Sequence, residues 1–103
     1  MDSFKDRETA FENKFAHDEE MQFKAFARRN KLVGLWAAGV LGKNGAEADA
    51  YAMEVVFADF EEAGHEDVYR KLAEDLAGKA DEATIRTKMI DLLGTAKAQL
   101  LEE

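Results

Sequence analysis

Not one of the 103 residues is proline. Proline costs about 3 kcal/mol inside a helix, where other residues cost about 1 kcal/mol or less. The chain is therefore free to be helical over long stretches. Its breaks must come from glycine and from lapses in apolar spacing. Apolar residues recur three or four apart and nowhere alternate with period two, so the spacing predicts helices and no sheet.

The first periodic segment runs from Ser3 to Leu41, with Asp2 or Ser3 available to cap it. Phe4, Phe11 and Phe15 lie on one face. That stripe lapses at His17-Asp18-Glu19-Glu20 and resumes with Met21, Phe23, Phe26, Leu32, Leu35 and Trp36. About forty residues is long for one globular helix, so a break or fraying is expected near residues 16–20. Gly42-Lys43-Asn44-Gly45 reads as a loop.

A second helix is expected from about Ala46 to Ala63, with Ala48, Tyr51, Ala52, Val55, Val56 and Phe60 inward, ending at Gly64. A third is expected from Glu66 to Ala77 on Val68, Leu72 and Leu76, ending at Gly78. A fourth, capped by Asp81, should run from Glu82 to Leu101 on Ile85, Met89, Leu92, Leu93, Ala96 and Leu100. Four amphipathic helices with short loops predict an all-α, antiparallel four-helix bundle. The expected division is an arm at residues 1–18, mobile or helically extended, and a bundle at residues 19–103.

Charge is placed unevenly. Residues 1–31 hold seven basic and seven acidic side chains, so the rest of the chain carries the whole net charge of −8. Nucleic-acid binding needs a clustered basic surface. The one compact basic cluster, Lys24, Arg28, Arg29 and Lys31, faces an acidic remainder, so no nucleic-acid partner is expected. The longest apolar run, Leu32 to Leu41, is about half of a membrane span and predicts no membrane insertion. Without cysteine there is no disulfide, thiolate metal site or cysteine nucleophile.

Chemistry-bearing motifs are sparse. Glu62-x-x-His65 matches one element of a bundle di-iron site. Such a site needs a second element and two more glutamates, and His17 has no glutamate three residues before it. Gly42-Lys43-Asn44 resembles the end of a P-loop, but Ala37 and Asn44 replace the required glycine and hydroxyl. Ser3 is the only serine, at an expected cap, so no Ser/His/Asp arrangement can be assembled. No cofactor, metal or catalytic residue is predicted. Trp36 is expected as a core anchor, and Glu20 with Lys24 forms a helix-supporting i,i+4 pair.

The arm differs from the rest. Its stripe is three phenylalanines wide, charges surround it, and a free peptide of that length is marginal as a helix in water. It can pack on the bundle or order on a partner. A helix laid in a partner's groove is read as anchors on one face, which Phe4, Phe11 and Phe15 provide.

The run Phe4-Lys5-Asp6-Arg7-Glu8, then Ala10-Phe11-Glu12, then Lys14-Phe15-Ala16-His17-Asp18-Glu19-Glu20, resembles the start of the zeta-subunit family of α-proteobacterial F1-ATPase inhibitors. The resemblance continues through Phe23-Lys24-Ala25, Ala27-Arg28-Arg29-Asn30-Lys31-Leu32 and Gly34-Leu35-Trp36-Ala37-Ala38, then Ala58-Asp59-Phe60-Glu61-Glu62-Ala63-Gly64 and Glu66-Asp67-Val68. It covers nearly the whole chain. Thr9, Asn13 and Phe57 depart from the family's usual residues, and at Phe57 the departure implies an added exposed apolar contact.

The resemblance implies a four-helix fold whose N-terminal arm enters an α/β catalytic interface of F1. There the arm forms a helix, reaches toward the γ shaft and blocks rotation in the hydrolytic direction. Phe4, Arg7, Phe11, Lys14, Phe15 and His17 match that arm. Phe4, Phe11 and Phe15 would be buried anchors. Arg7 and Lys14 would pair with acidic groups of the α, β and γ subunits, and Glu8 and Glu12 with basic ones. The implied location is cytoplasmic, peripheral to the inner membrane when bound. The rival reading is a regulatory helical bundle that binds a nucleotide or small molecule between its helices, for which no motif speaks.

His17 lies beside Asp18, Glu19 and Glu20. Adjacent negative charge favours the protonated imidazole, which suits a switch near physiological pH, although an ordinary exposed histidine is the simpler reading. The switch reading predicts that His17→Ala flattens the pH dependence of inhibition across about pH 6–8. An unchanged profile dismisses it.

Overall fold

A computed structural model describes residues 19–59 and 65–103. Four helices follow in order: α1 (Glu19–Val40), α2 (Gly45–Ala58), α3 (Glu66–Asp75) and α4 (Glu82–Glu102). There is no strand among the described residues. This is the all-α, four-helix architecture that the spacing predicts.

Several helix ends have a local cause. Glu19 and Glu20 sit in the first turn of α1, where the helix dipole favours negative charge. At its other end Gly42 takes φ +79. There the Lys43 N–H donates to the Ala38 carbonyl (2.8 Å) and the Gly42 N–H to the Gly39 carbonyl (3.1 Å). This pair of bonds is a Schellman motif, and its left-handed residue is cheapest as glycine. Asp81 caps α4 as expected, its carboxylate accepting from the Thr84 N–H at 2.8 Å.

Two helices are shorter than their apolar patterns suggest. α2 ends at Ala58 rather than Ala63. The Asp59 N–H reaches back only to Val56 (3.3 Å), a tight final turn that leaves the Asp59 carboxylate beside His65. α3 ends at Asp75 rather than Ala77. Fully buried Leu76 anchors a turn in which its carbonyl accepts from both Lys79 and Ala80. Gly64, the expected stop of α2, lies outside the described residues.

The helix directions follow from their contacts. Ala25, near the start of α1, packs with Leu100, near the end of α4, while Lys88 of α4 sits over Trp36, so the two run antiparallel. Tyr51 donates to Asp75 at 2.8 Å, and Glu54 pairs with Lys71 at 3.5 Å, which sets α2 and α3 antiparallel. Burial, and next the hydrogen bond to Asp75, raise the Tyr51 phenol above its ordinary pKa. The main core joins Val33 and Ala37 of α1, Val55 of α2, Val68 and Leu72 of α3, and Ile85 and Met89 of α4.

Trp36 departs from expectation. It is partly buried at the edge of the core rather than inside it. Val33 and Ala37, on either side of it along α1, take the central position, where there is room for small side chains. The indole faces α4 and the Lys88 ammonium, 5.8 Å from its ring.

α1 and α2 approach closely because Gly34 has no side chain. A Cβ there would lie 2.7 Å from the Ala52 Cα and 3.3 Å from the Val55 Cβ. Backbone, rather than a flexible side-chain tip, would have to move. Gly34→Ala is therefore expected to destabilise the fold by about 1–3 kcal/mol, as overpacking does. A fall in urea midpoint at constant slope is the measurement, and a midpoint at or above wild type would refute the close packing.

Candidate partner-binding region

Every residue expected to contact a partner (Phe4, Arg7, Glu8, Phe11, Glu12, Lys14, Phe15 and His17) lies outside the described residues. The described structure begins at Glu19, so it shows where that segment joins the bundle. The first half of α1 carries two unlike faces there.

The inward face holds a polar cluster that the apolar pattern hides. Arg29 is 4% exposed and Asn30 is 1% exposed. The Arg29 Nε donates to the Asn30 Oδ1 at 2.8 Å. Its guanidinium sits 5.3 Å from the Phe26 ring centroid, and Phe26 stacks on the His65 imidazole with centroids 4.0 Å apart. The His65 Nδ1 in turn lies 3.4 Å from the Asp59 Oδ1. One chain of contacts thus links α1, the end of α2 and the start of α3.

Burial lowers the Arg29 pKa, and the charge of Asp59 opposes that shift. Three buried polar atoms, one terminal guanidinium nitrogen of Arg29, the Asn30 Nδ2 and the Asp59 Oδ1, have no hydrogen-bond partner among the described residues. Asn30 and Asp59 line a cavity of about 140 Å³ together with Phe23, Phe26, Ala27, Val56 and His65. That is below the range of about 300–1,000 Å³ usual for small-molecule sites. Most of its wall is apolar, but Asn30, Asp59 and His65 give an ordered water polar partners, and such waters satisfy buried groups in many interiors.

The solvent face is basic. Lys24 pairs with Glu20 at 3.2 Å, the expected i,i+4 contact, and Arg28 pairs with Glu103 of α4. The expected cluster of four cations therefore divides: Lys24, Arg28 and Lys31 face outward, while Arg29 turns in. The i+4 series Ala25, Arg29, Val33, Ala37 carried this signal, since three of its members are fully buried.

Other constellations stay inert. His65 stands at the start of α3 without capping it through its side chain, and Glu62 lies outside the described residues. No group of three or more potential metal-ligating side chains occurs among the described residues. The larger groove between α2 and α3, about 600 Å³, is lined by Phe57, Ala58 and the charged side chains Glu54, Asp67, Arg70, Lys71 and Glu74. Its cations already pair with carboxylates: Arg70 with Asp67, and Lys71 with Glu54 and Asp75. No helix among the described residues is long and apolar enough to cross a membrane.

The buried cation makes an asymmetric prediction. Asp59→Ala removes the carboxylate that favours Arg29 and should cost about 1–3 kcal/mol, as an uncompensated buried charge does. Arg29→Met removes the charge itself and should fall within about 1 kcal/mol of neutral, on either side. Urea unfolding of both variants distinguishes them, and equal losses would refute the predicted asymmetry.

The sequence model of the ATPase inhibitor subunit zeta family matches residues 1–99. A solved solution NMR structure is 67% identical to this chain, covering 80% of this chain and 96% of its own, with a TM-score of 0.75. No curated protein matches. The family match takes in α1 to α3, most of α4 and the residues that precede them. The chain belongs to the ATPase inhibitor subunit zeta family.

Proposed function

We propose that this protein inhibits ATP hydrolysis by the F1 sector of an F-type ATP synthase, with residues 1–18 as the inhibitory arm and residues 19–103 as the bundle that holds it. The observation that carries the reading is the family match from residue 1 through residue 99, which takes in the arm positions together with the bundle. The arm enters a catalytic α/β interface and extends toward γ as a helix. Phe4, Phe11 and Phe15 fill apolar pockets on one face. Arg7 and Lys14 meet carboxylates, Glu8 and Glu12 meet basic groups, and His17 stands at the arm's root. An inserted helix at that interface opposes rotation in the hydrolytic direction.

The bundle has a mechanical part in this scheme. The described part of α1 starts at Glu19, next in sequence to residues 1–18. Its packing against α2 and α4 makes the bundle wider than a single helix, so the bundle limits how far the arm can enter. The protein is then peripheral to the membrane through its partner, on the cytoplasmic side.

ATP hydrolysis by the cognate F1 tests the reading. The intact chain should inhibit, and Phe11→Ala with Phe15→Ala should weaken inhibition by about tenfold or more, the scale of losing buried aromatic anchors. A chain lacking residues 1–18 should not inhibit, while its circular dichroism retains a helical bundle. Equal inhibition by all three would remove the arm from the mechanism.

A further inference from the structure

We propose that the bundle carries a second docking site for the same partner: an apolar groove beside the root of α1 that receives a partner helix with an apolar ridge and carboxylate flanks. This rests on the inhibitor reading above and names a surface that the arm does not include.

Three large apolar side chains stand exposed near the arm's root: Phe23 (58%), Met53 (42%) and Phe57 (58%). Single exposed apolar residues are ordinary, as with Ile90, but a contiguous group marks an interaction surface. Phe23 and Met53 are neighbours across α1 and α2. Phe23 and Met53 line one groove of about 440 Å³, whose apolar floor also includes Ala27, Val56 and Leu100. Phe57, one helical turn beyond Met53 on α2, lines the neighbouring groove between α2 and α3 instead.

The rim of the groove identifies the occupant's charge. Lys24, Arg28 and Lys31 line one side of it, and Glu103 is its only carboxylate among the described residues. This basic rim belongs to a chain with a net charge of −8, so it is a local inversion of the molecule's own field. Lys31 is exposed and has no ion-pair partner among the described residues. The Lys24–Glu20 pair is itself largely open to solvent, at 52% and 77% side-chain exposure, and such pairs exchange partners at little cost. A docking segment with carboxylates along its edge complements this rim.

Distance makes the contact hard to avoid. Phe23 is four residues after Glu19, or about 6 Å along a helix axis. A partner that closes over residues up to 18 stands about one and a half helical turns from Phe23. From Phe23 to Lys31 the groove runs about 12 Å, which accommodates two turns of a docking helix.

The absence of native cysteine permits a direct test. A Met53→Cys chain carrying a photoactivated cross-linker is mixed with the cognate F1 and irradiated. An Asn44→Cys chain, labelled in the loop at the far end of α1, serves as the control. The Met53 label is expected to cross-link to a helix of an F1 subunit bearing aspartate or glutamate on its flank, and the Asn44 label is not. In parallel, Lys31→Glu combined with Met53→Glu is expected to weaken apparent affinity for F1 by about tenfold, with full inhibition retained at saturation. Cross-linking of the Met53 label only to residues 1–18 of its own chain, or only to a second copy, overturns the proposal. Unchanged affinity of the double variant also overturns it, even if wild type inhibits normally. Failure of wild type to bind or inhibit F1 overturns the inhibitor reading as well.

Discussion

The bundle depends on how closely α1 and α2 can approach at Gly34 and Ala52. With no carbon to spare between them, the two helices bring their backbones together, and the remaining core can be built from small residues. Ala25, Ala37, Ala38, Ala52 and Ala96 are all fully buried. Interiors are packed to crystal-like density, so an alanine-rich core demands short interhelical distances throughout. A chain of this length has little apolar area to bury, and close approach compensates by letting each methyl group touch several neighbours.

Around that contact α1 acts as the central element. It packs extensively against α2 and α4, while short α3 closes the remaining side through Val68, Leu72 and Leu76. Beyond the reach of α3's apolar stripe, toward the arm, the interior changes character. Arg29, Asn30, Asp59 and His65 replace aliphatic side chains, and polar atoms remain unpaired among the described residues. Such a cluster lowers stability relative to a well-packed apolar core. It also leaves the arm-proximal end less tightly committed than the end built on Leu72 and Leu76. The exposed groove and the cavity beside the polar cluster share Phe23, Ala27 and Val56, so the inner and outer surfaces of that end meet at the same three side chains.

Much of this fold was legible in the sequence. The 3.6 spacing identified all four helices, and Asp81 was readable as a cap because aspartate three residues before an N–H is a local matter. The misreadings are equally physical. α2 and α3 end early because Asp59 and Leu76 find partners off their own helix axis, which no periodicity records. Trp36 was expected inside because it lies within an apolar run, but one helical face admits only what the opposite helices leave room for. Arg29 was read with its charged neighbours, although its i+4 relations to Ala25 and Val33 already turned it inward. Phe57 was readable as an exposed contact only through family resemblance, since its position on α2 suits either environment. The arm residues remain a matter of sequence and family, being outside the described structure.

The continuous course of α1 has a mechanical consequence. From Glu19 to Val40 it is an unbroken helix of 22 residues, flanked on two sides by antiparallel neighbours. A force applied at Glu19 along the helix axis is carried by the backbone hydrogen bonds and reaches α2 and α4 as shear, spread over all their contacts at once. Loading in shear resists rupture better than peeling, where contacts fail one after another. If the motor pulls or pushes on whatever precedes Glu19, the bundle meets that load as an anchor in its strongest direction.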